Sequence, residues 1–167
     1  MRLEDIRRES TCCFTGHRPG KLPDSWGCRY DQLRRALREA ILSAQKNGFD
    51  TFLSGMALGV DTWAAEEVLA LKAAGVPVRL IAARPCPGQD SRWTQADRVR
   101  YRRNLAQADA VYTACDIYTP YCMGARNLWM VEHARRLIAV FDGTPGGTAH
   151  TIRLAEEHRL EIVCLSP

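Results

Sequence analysis

TFLSGMALGVDTWAAEEVLALKAAGVPVRLIAA, residues 51–83, contains two short apolar runs separated by a glycine-containing loop and a helical pattern. The runs at 51–54 and 78–83 predict strands, and 60–74 predicts a mostly apolar helix that ends at Gly75. A continuous apolar run is typical of a strand that is covered on both faces. A strand, a helix and a second strand in this order indicate a βαβ unit of a parallel sheet.

The same alternation of strands and helices continues on both sides of this unit. The further predicted strands are 11–15, 110–114, 137–141 and 161–165, and the further predicted helices are 31–47, 94–107, 127–135 and 148–158. We therefore predict an α/β fold: one Rossmann-like domain over residues 1–167, with a mainly parallel sheet flanked by helices on both faces.

The composition is that of an ordinary globular domain. The chain has 167 residues, of which 46% are hydrophobic and 25% charged, so a core can form without metals or disulfides. The net charge of +4 suits an anionic ligand but is low for a dedicated nucleic-acid binder. The seven cysteines include no CxxC pair, which favours reduced thiols packed as small apolar groups and no metal site. The sequence shows no secretory signal and no membrane span, and a cytoplasmic location is expected.

In a parallel sheet of this kind, ligands bind beyond the carboxyl ends of the strands, so binding residues are expected in the loops that follow the strands. The first such loop is TGHRPG, which begins at Thr15. Gly16 allows a tight exit from the strand, and Arg18 can donate two hydrogen bonds to a phosphate. His17 can bind an anion or transfer a proton. The alternative is a turn whose side chains point into solvent.

The second loop is SGMALGVDTW, which begins at Ser54 and opens a helix. Gly55 and Gly59 allow the backbone to approach a ligand, and the helix N-terminus favours a phosphate. Ser54 is a candidate to hydrogen-bond the ligand or to cap a turn. Asp61 is either a ligand-binding group or a partner of the helix dipole. Trp63 either stacks on a base or packs in the core.

The third loop is DGTPGGT, which begins at Asp142. Gly143, Gly146 and Gly147 surround a proline, and the last two stand at the start of a predicted helix. Their backbone amides are available to an anion. Thr148 is a candidate N-cap or phosphate ligand.

Two groups of polar residues lie outside these loops. Arg126 and Asn127 are placed at the start of a predicted helix, where they can bind phosphate and ribose or merely begin the helix. Five arginines form the best basic patch: Arg92, Arg98, Arg100, Arg102 and Arg103. A solvated helix face is the favoured interpretation, because a nucleic-acid groove needs aromatic platforms that the sequence does not place.

Four segments together resemble the SLOG superfamily, which unites the DprA/Smf proteins with the LOG phosphoribohydrolases. They are CFTGHRP from Cys13, SGMALGVDTWAAE from Ser54, the Arg126-Asn127 pair and FDGTPGGT from Phe141. The chain is most similar to the YpsA-type family. The resemblance implies a Rossmann-like fold and a site for nucleotide-type ligands, and the G-V-[DE]-x-W stretch that lines that site maps onto Gly59, Val60, Asp61 and Trp63.

One segment departs from the LOG pattern. LOG hydrolases carry P-G-G-x-G-T-x-x-E, in which the glutamate serves catalysis, whereas this chain has Ala149, His150 and Arg153 in place of the last Gly, Thr and Glu. An arginine cannot stabilise a developing ribosyl cation as a carboxylate does. The departure argues against LOG-type cleavage of N-glycosidic bonds.

Three functions are therefore expected to compete. The favoured one is a sensor or carrier that binds a nucleotide-type ligand, such as ADP-ribose, an NAD-related molecule or a nucleoside phosphate, with no cofactor required. The first alternative is a nucleotide-processing hydrolase in which Asp61, Glu66 or His17 supplies the acid or base. The second is DprA-like binding of single-stranded DNA, although nucleic acid is not the favoured partner and no membrane partner is expected. A homo-oligomer is left open.

Overall fold

The computed structural model describes residues 1–167, in which six strands and five α-helices alternate along the chain. The strands are β1 (Thr11–Gly16), β2 (Thr51–Ser54), β3 (Arg79–Arg84), β4 (Ala110–Thr113), β5 (Arg136–Val140) and β6 (Glu161–Leu165). The helices are α1 (Cys28–Lys46), α2 (Val60–Ala73), α3 (Gln95–Gln107), α4 (Cys122–Glu132) and α5 (Gly147–Glu157).

All six strands are parallel and lie in the order β4-β3-β2-β1-β5-β6. The chain runs outward from β1 to β4, then crosses back to place β5 on the other side of β1. Helices α1 to α3 cover one face of the sheet, and α4 and α5 cover the other. The predicted Rossmann-like fold with helices on both faces is confirmed. The reversal of strand order lies between β1 and β5, where doubly wound sheets place their ligand crevice.

The apolar runs of the strands divide between two cores. In β1, Cys12 and Phe14 pack with the α1–α3 side, whereas Cys13 packs with the α4–α5 side. Phe52 and Leu53 divide in the same way in β2. Side chains of a strand alternate between faces, so every position of a doubly covered strand is apolar. This explains the continuous apolar runs within the central strands β1, β2, β3 and β5.

One helix begins well before its predicted start. The sequence predicts a helix over 127–135, but α4 spans Cys122–Glu132. Gly124 disfavours a helix at this point, yet the first turn forms because Cys122 is fully buried and its sulfur accepts the Thr119 backbone N–H at 3.1 Å. Arg126 therefore lies inside the helix, which corrects its predicted position at the helix start.

The cysteines are only partly as predicted. All seven are free thiols, and Cys12, Cys13, Cys86 and Cys122 are buried. Cys28 and Cys164 are exposed, so for these two the prediction of thiols packed as small apolar groups is wrong. Among the helices, none combines the length and the apolar character that a bilayer crossing requires.

Candidate functional site

A cleft of about 400 Å³ lies at the carboxyl ends of β1 and β5, where the strand order reverses. Most of its lining is polar or glycine. It is lined by Phe14, Thr15, Gly16, His17, Arg18, Gly20, Lys21, Ala57, Asp61, Met123, Arg126, Asn127, Met130, Gly146, Gly147, Thr148 and Thr151. Residues from all three glycine loops contribute, so loops that are far apart in sequence share one site.

Two side chains join the first loop to the third. His17 is buried, and its Nε2 lies 2.8 Å from a carboxylate oxygen of Asp142. Lys21 donates a hydrogen bond of 2.6 Å from Nζ to Oγ1 of Thr144. Hydrogen bonds from Thr144, and then the nearby His17 and Lys21, lower the pKa of the Asp142 carboxyl to about 2. Asp142 is therefore an anion that positions His17 at the edge of the cleft.

Close backbone packing joins the first loop to the second. The N–H of Val60, at the start of α2, donates to the carbonyl of His17 at 3.3 Å. Gly59 has a φ of 90°, and a Cβ there would lie 2.6 Å from the same carbonyl oxygen. A Cβ on Gly16 would lie 2.5 Å from the Val60 side chain. Only glycine fits at either position, because β1 and α2 approach each other so closely.

The N-terminus of α5 opens onto the cleft without a side-chain cap. The N-cap is Gly146, which has a φ of 147°, and the helix begins at Gly147. The first N–H groups of a helix have no partner within the helix, and they carry the positive end of its dipole. Arg18 and Lys21 line the same cleft. Backbone amides and two cationic side chains therefore converge on a space that suits a phosphate.

A carboxyl and a guanidinium group, those of Asp61 and Arg126, lie at the opposite wall. Burial raises the pKa of the Asp61 carboxyl, against the opposing positive charge of Arg126. Arg126 is itself only 3% exposed, and burial lowers its pKa. Its guanidinium donates to the carbonyls of Gly55 and Ala83 and to the side chain of Asn127. Arg126 thus fixes the ends of two strand–loop junctions and places a positive charge beneath the cleft.

Three predicted residues of the second loop have internal roles instead. Trp63 is 2% exposed and meets Tyr30 edge-on at 5.0 Å between ring centroids, so it packs in the core and does not stack on a base. The hydroxyl of Ser54 donates to the Asp61 carbonyl and accepts the Met56 N–H. Gly55 lies against the Arg126 guanidinium. These residues shape the loop but do not line the cleft.

The predicted catalytic candidate Glu66 also lies away from the cleft. It points to the outer side of α2, where its carboxylate accepts from Arg34, Arg100 and Asn104. Glu66 lies one helical turn after Thr62 and therefore shares its face of α2. Asp61, which lines the cleft, lies on a different face. Gly143 and Asp142 lie at the rim, beside the lining residues rather than among them.

The structure adds residues that the sequence analysis missed. Lys21 follows Arg18 in the same loop, so its place in a glycine loop was a usable indication. Thr151 lies one turn after Thr148, and that spacing puts both on one face of α5. Met123 and Met130 are seven residues apart on α4, and this spacing alone does not distinguish a cleft wall from a core face.

Most of the chain matches one family model. The YpsA model, described as the YspA SLOG family, matches residues 12–162. The chain belongs to the YpsA family of SLOG proteins. The predicted resemblance is therefore confirmed, and the glycine loops of the cleft are part of the YpsA match.

Bacterial proteins are among the relatives of this YpsA-family chain. A UPF0398 protein of Halalkalibacterium halodurans is 28% identical over 130 residues, which cover 76% of this chain and 69% of the relative. The SPbeta prophage-derived protein YoqJ of Bacillus subtilis is 28% identical over 139 residues, which cover 76% of this chain and 80% of YoqJ.

Solved structures of DNA processing protein A (DprA) share the fold of the YpsA-family domain. The protein from Streptococcus pneumoniae has a TM-score of 0.64 and 19% identity, and the match covers 92% of this chain. The protein from Helicobacter pylori, described with its single-stranded DNA binding mode, has a TM-score of 0.63 and 19% identity. The chain spans 49% and 64% of these two solved chains. At this identity the likeness establishes the fold.

Proposed function

We propose that the cleft between β1 and β5 binds a nucleotide or nucleotide-derived ligand, with a phosphate at the N-terminus of α5. The observation that carries this proposal is the convergence of Arg18, Lys21 and the uncapped amides after Gly146 on one cleft of about 400 Å³. An anion gains both from the helix terminus and from the cationic side chains. A sensor or carrier needs no more than this.

The opposite wall suits the sugar of such a ligand. Asp61 and Asn127 both line the cleft, and they offer a carboxyl and a carboxamide. Groups of these types hydrogen-bond hydroxyls well. The positive charge of Arg126 beneath them is already committed to carbonyl groups. The ligand is therefore expected to be held at two ends, by its phosphate on α5 and by its ribose near α4.

The test is calorimetric titration with AMP, cyclic nucleotides, ADP-ribose and NAD, in wild type and in a pair of variants at Gly147. Gly147 is exposed, and a Cβ there would meet nothing within 4 Å. Gly147→Asp places a negative charge where the phosphate is proposed, yet an acid in the first helical turn stabilises α5. We expect affinity to fall by roughly tenfold or more, which is about 1.4 kcal/mol.

Gly147→Asn is the matched control, since it has the same shape without the charge. It should keep most of the affinity. No binding of any of these ligands to folded wild-type protein would refute the proposal. Equal loss in both variants would assign the effect to bulk rather than charge and would remove the phosphate from α5.

Hydrolysis of a nucleotide is the second candidate function, and the His17–Asp142 pair favours it. The carboxylate of Asp142 lies 2.8 Å from Nε2 of His17, and the backbone N–H of Asp142 donates to the same nitrogen at 3.1 Å, so Nδ1 is the ring nitrogen left for proton transfer. A histidine oriented by a carboxylate is a common general base. If the cleft is catalytic, incubation with AMP or NAD should release free base or phosphate. His17→Asn and Asp61→Asn should each abolish this release and spare binding, and unchanged turnover in either variant removes that residue from the mechanism.

Single-stranded DNA, which DprA from Helicobacter pylori binds, is a further candidate partner. The arginines of α3 support it little, because acidic side chains pair with them. Asp90 lies 3.7 Å from Arg98 and 3.2 Å from Arg102, and Glu66 pairs with Arg100 and Arg103. We expect Arg98→Ala and Arg102→Ala to leave the mobility of a thymidine oligonucleotide unchanged at low salt. A salt-sensitive shift that these variants weaken would establish the DNA function instead.

A further inference from the structure

A second cavity, of about 830 Å³, opens beside the first at the carboxyl ends of β3 and β4. Three residues line both spaces, namely Arg18, Ala57 and Met123. The two cavities are therefore adjacent, and Arg18 lies on their shared border. The nucleotide proposed above uses only the first, so a ligand that spans both must be longer than a mononucleotide.

Large apolar side chains, two of them aromatic, line part of this second cavity. Tyr118 is 73% exposed and Ile117 is 75% exposed, and both line it. Trp93 lines the cavity as well. The ring of Tyr101 packs edge-on against the Trp93 indole, at 5.2 Å between ring centroids, and holds it in place. Exposed large apolar residues are ordinary when scattered, but several around one cavity mark a binding surface. Aromatic walls of this kind are suited to stacking on a flat ring.

The charges around the second cavity are those of an anion-binding rim. Arg18 and Arg92 line it, with Asp116 as the one carboxylate among the lining residues. Unlike the other arginines of the basic patch, Arg92 forms no ion pair within the chain. The cation at the junction therefore lies between a phosphate site on α5 and an aromatic cavity beyond β3.

We propose that the second cavity holds the distal nucleoside of a ligand in which two nucleosides are joined by a pyrophosphate. This inference rests on the proposed nucleotide function of the first cavity. One phosphate lies on α5, the second lies near Arg18, and the distal base stacks on the exposed ring of Tyr118. A continuous DNA strand is less well matched, because each of the α3 arginines that would follow it already forms an ion pair with Asp90 or Glu66.

The test compares AMP with NAD by calorimetry in wild type, Tyr118→Ala and Tyr121→Ala. Both tyrosines are largely exposed on the same segment, so neither variant should unfold the protein, but only Tyr118 lines the cavity. We expect wild type to bind NAD roughly tenfold tighter than AMP, since stacking of one base on an aromatic ring is worth about that factor. Tyr118→Ala should remove most of this gain and leave AMP unchanged. Tyr121→Ala should alter neither ligand.

The possible outcomes distinguish a failure of this inference from a failure of the proposed nucleotide function of the first cavity. If AMP binds and NAD binds no tighter, or if Tyr118→Ala leaves the NAD affinity unchanged, the second cavity is not a nucleoside site and the first proposal stands. If neither ligand binds, the nucleotide function fails and this inference fails with it. If a ten-residue thymidine oligonucleotide binds tighter than NAD and Tyr118→Ala weakens it, the occupant is single-stranded DNA and the small-ligand inference is overturned.

Discussion

At the scale of single residues, the glycines of the loops have two different roles. Gly16 and Gly59 allow β1, α2 and the first loop to touch, since a Cβ at either would lie within 2.6 Å of a neighbouring atom. Gly20 and Gly147 face open space, where a Cβ would meet nothing within 4 Å. The first pair is therefore required by packing, and the second pair leaves room for a ligand. All four looked alike in the sequence.

Gly16→Ala should consequently destabilise the fold, whereas Gly20→Ala should not. The new methyl group would overlap the Val60 side chain, and overpacking of this kind costs about 1–3 kcal/mol. Urea unfolding, followed by far-ultraviolet circular dichroism, measures the difference in the free energy of unfolding. An unchanged midpoint for Gly16→Ala would show that α2 can shift away from β1 at little cost.

Cleft residues of the first and third loops could be predicted from the sequence, whereas most of those proposed in the second loop could not. Thr15 to Arg18 and Gly146 to Thr148 line the cleft, as a loop after a strand is expected to do. The facing of Trp63 and Glu66 could not be predicted from the sequence, because it depends on which sides of α2 pack against α1 and α3. Asp61 lines the cleft, whereas Trp63 and Glu66 on the same helix do not.

At the scale of elements, an ion-pair network joins three helices. Glu66 on α2 accepts from Arg34 of α1 and from Arg100 and Asn104 of α3. These contacts outweigh the opposing effect of burial and lower the pKa of the Glu66 carboxyl. A carboxyl with a lowered pKa in the folded state stabilises the fold above its unfolded pKa. That stability is lost as the pH falls through the pKa of the folded state.

Glu66→Gln should therefore lower the free energy of unfolding at neutral pH by about 2 kcal/mol, the typical contribution of hydrogen bonds to a charged group. The difference from wild type should shrink below the usual pKa of a glutamate, because the wild-type carboxyl is then protonated. Denaturant titrations from pH 3 to 7 would measure it. Glu157→Gln, at an exposed position without an ion pair, is the control and should have no effect at any pH. A difference from wild type that stays constant with pH would contradict the assigned cause.

Element boundaries show where sequence reasoning stops. The strands were predicted to within a residue or two, since their apolar runs are short and sharply bounded. The start of α4 was wrong, because the Thr119–Cys122 hydrogen bond and the burial of Cys122 compensate for Gly124. Tertiary contacts of this kind have no local pattern. The second cavity was not predicted for a similar reason. Trp93 and Tyr118 lie 25 positions apart in the sequence, and only the folded chain places both of them in one cavity lining.

At the scale of the whole molecule, the cleft joins the two halves of the sheet. Loops that follow β1 and β2 meet a loop that follows β5 through His17, Lys21 and Val60. A ligand bound in the cleft would contact elements that cover both faces of the sheet, and these contacts are lost when the domain unfolds. Binding must therefore stabilise the folded domain as a unit, in proportion to the ligand concentration.

This predicts a thermal shift of defined size once a ligand has been found by calorimetry. At a ligand concentration of 100 times Kd, the folded state gains about 2.7 kcal/mol. For a domain of this length, each kcal/mol raises the Tm by about 2–4 °C, so we expect a shift of about 5–11 °C. Scanning calorimetry of wild type and of Gly147→Asp at the same ligand concentration provides the measurement and its control, because a tenfold weaker affinity leaves a gain of about 1.4 kcal/mol and therefore only about half of the shift. Binding without any shift would mean that the ligand contacts a segment which unfolds independently, and the three loops would then not form one site.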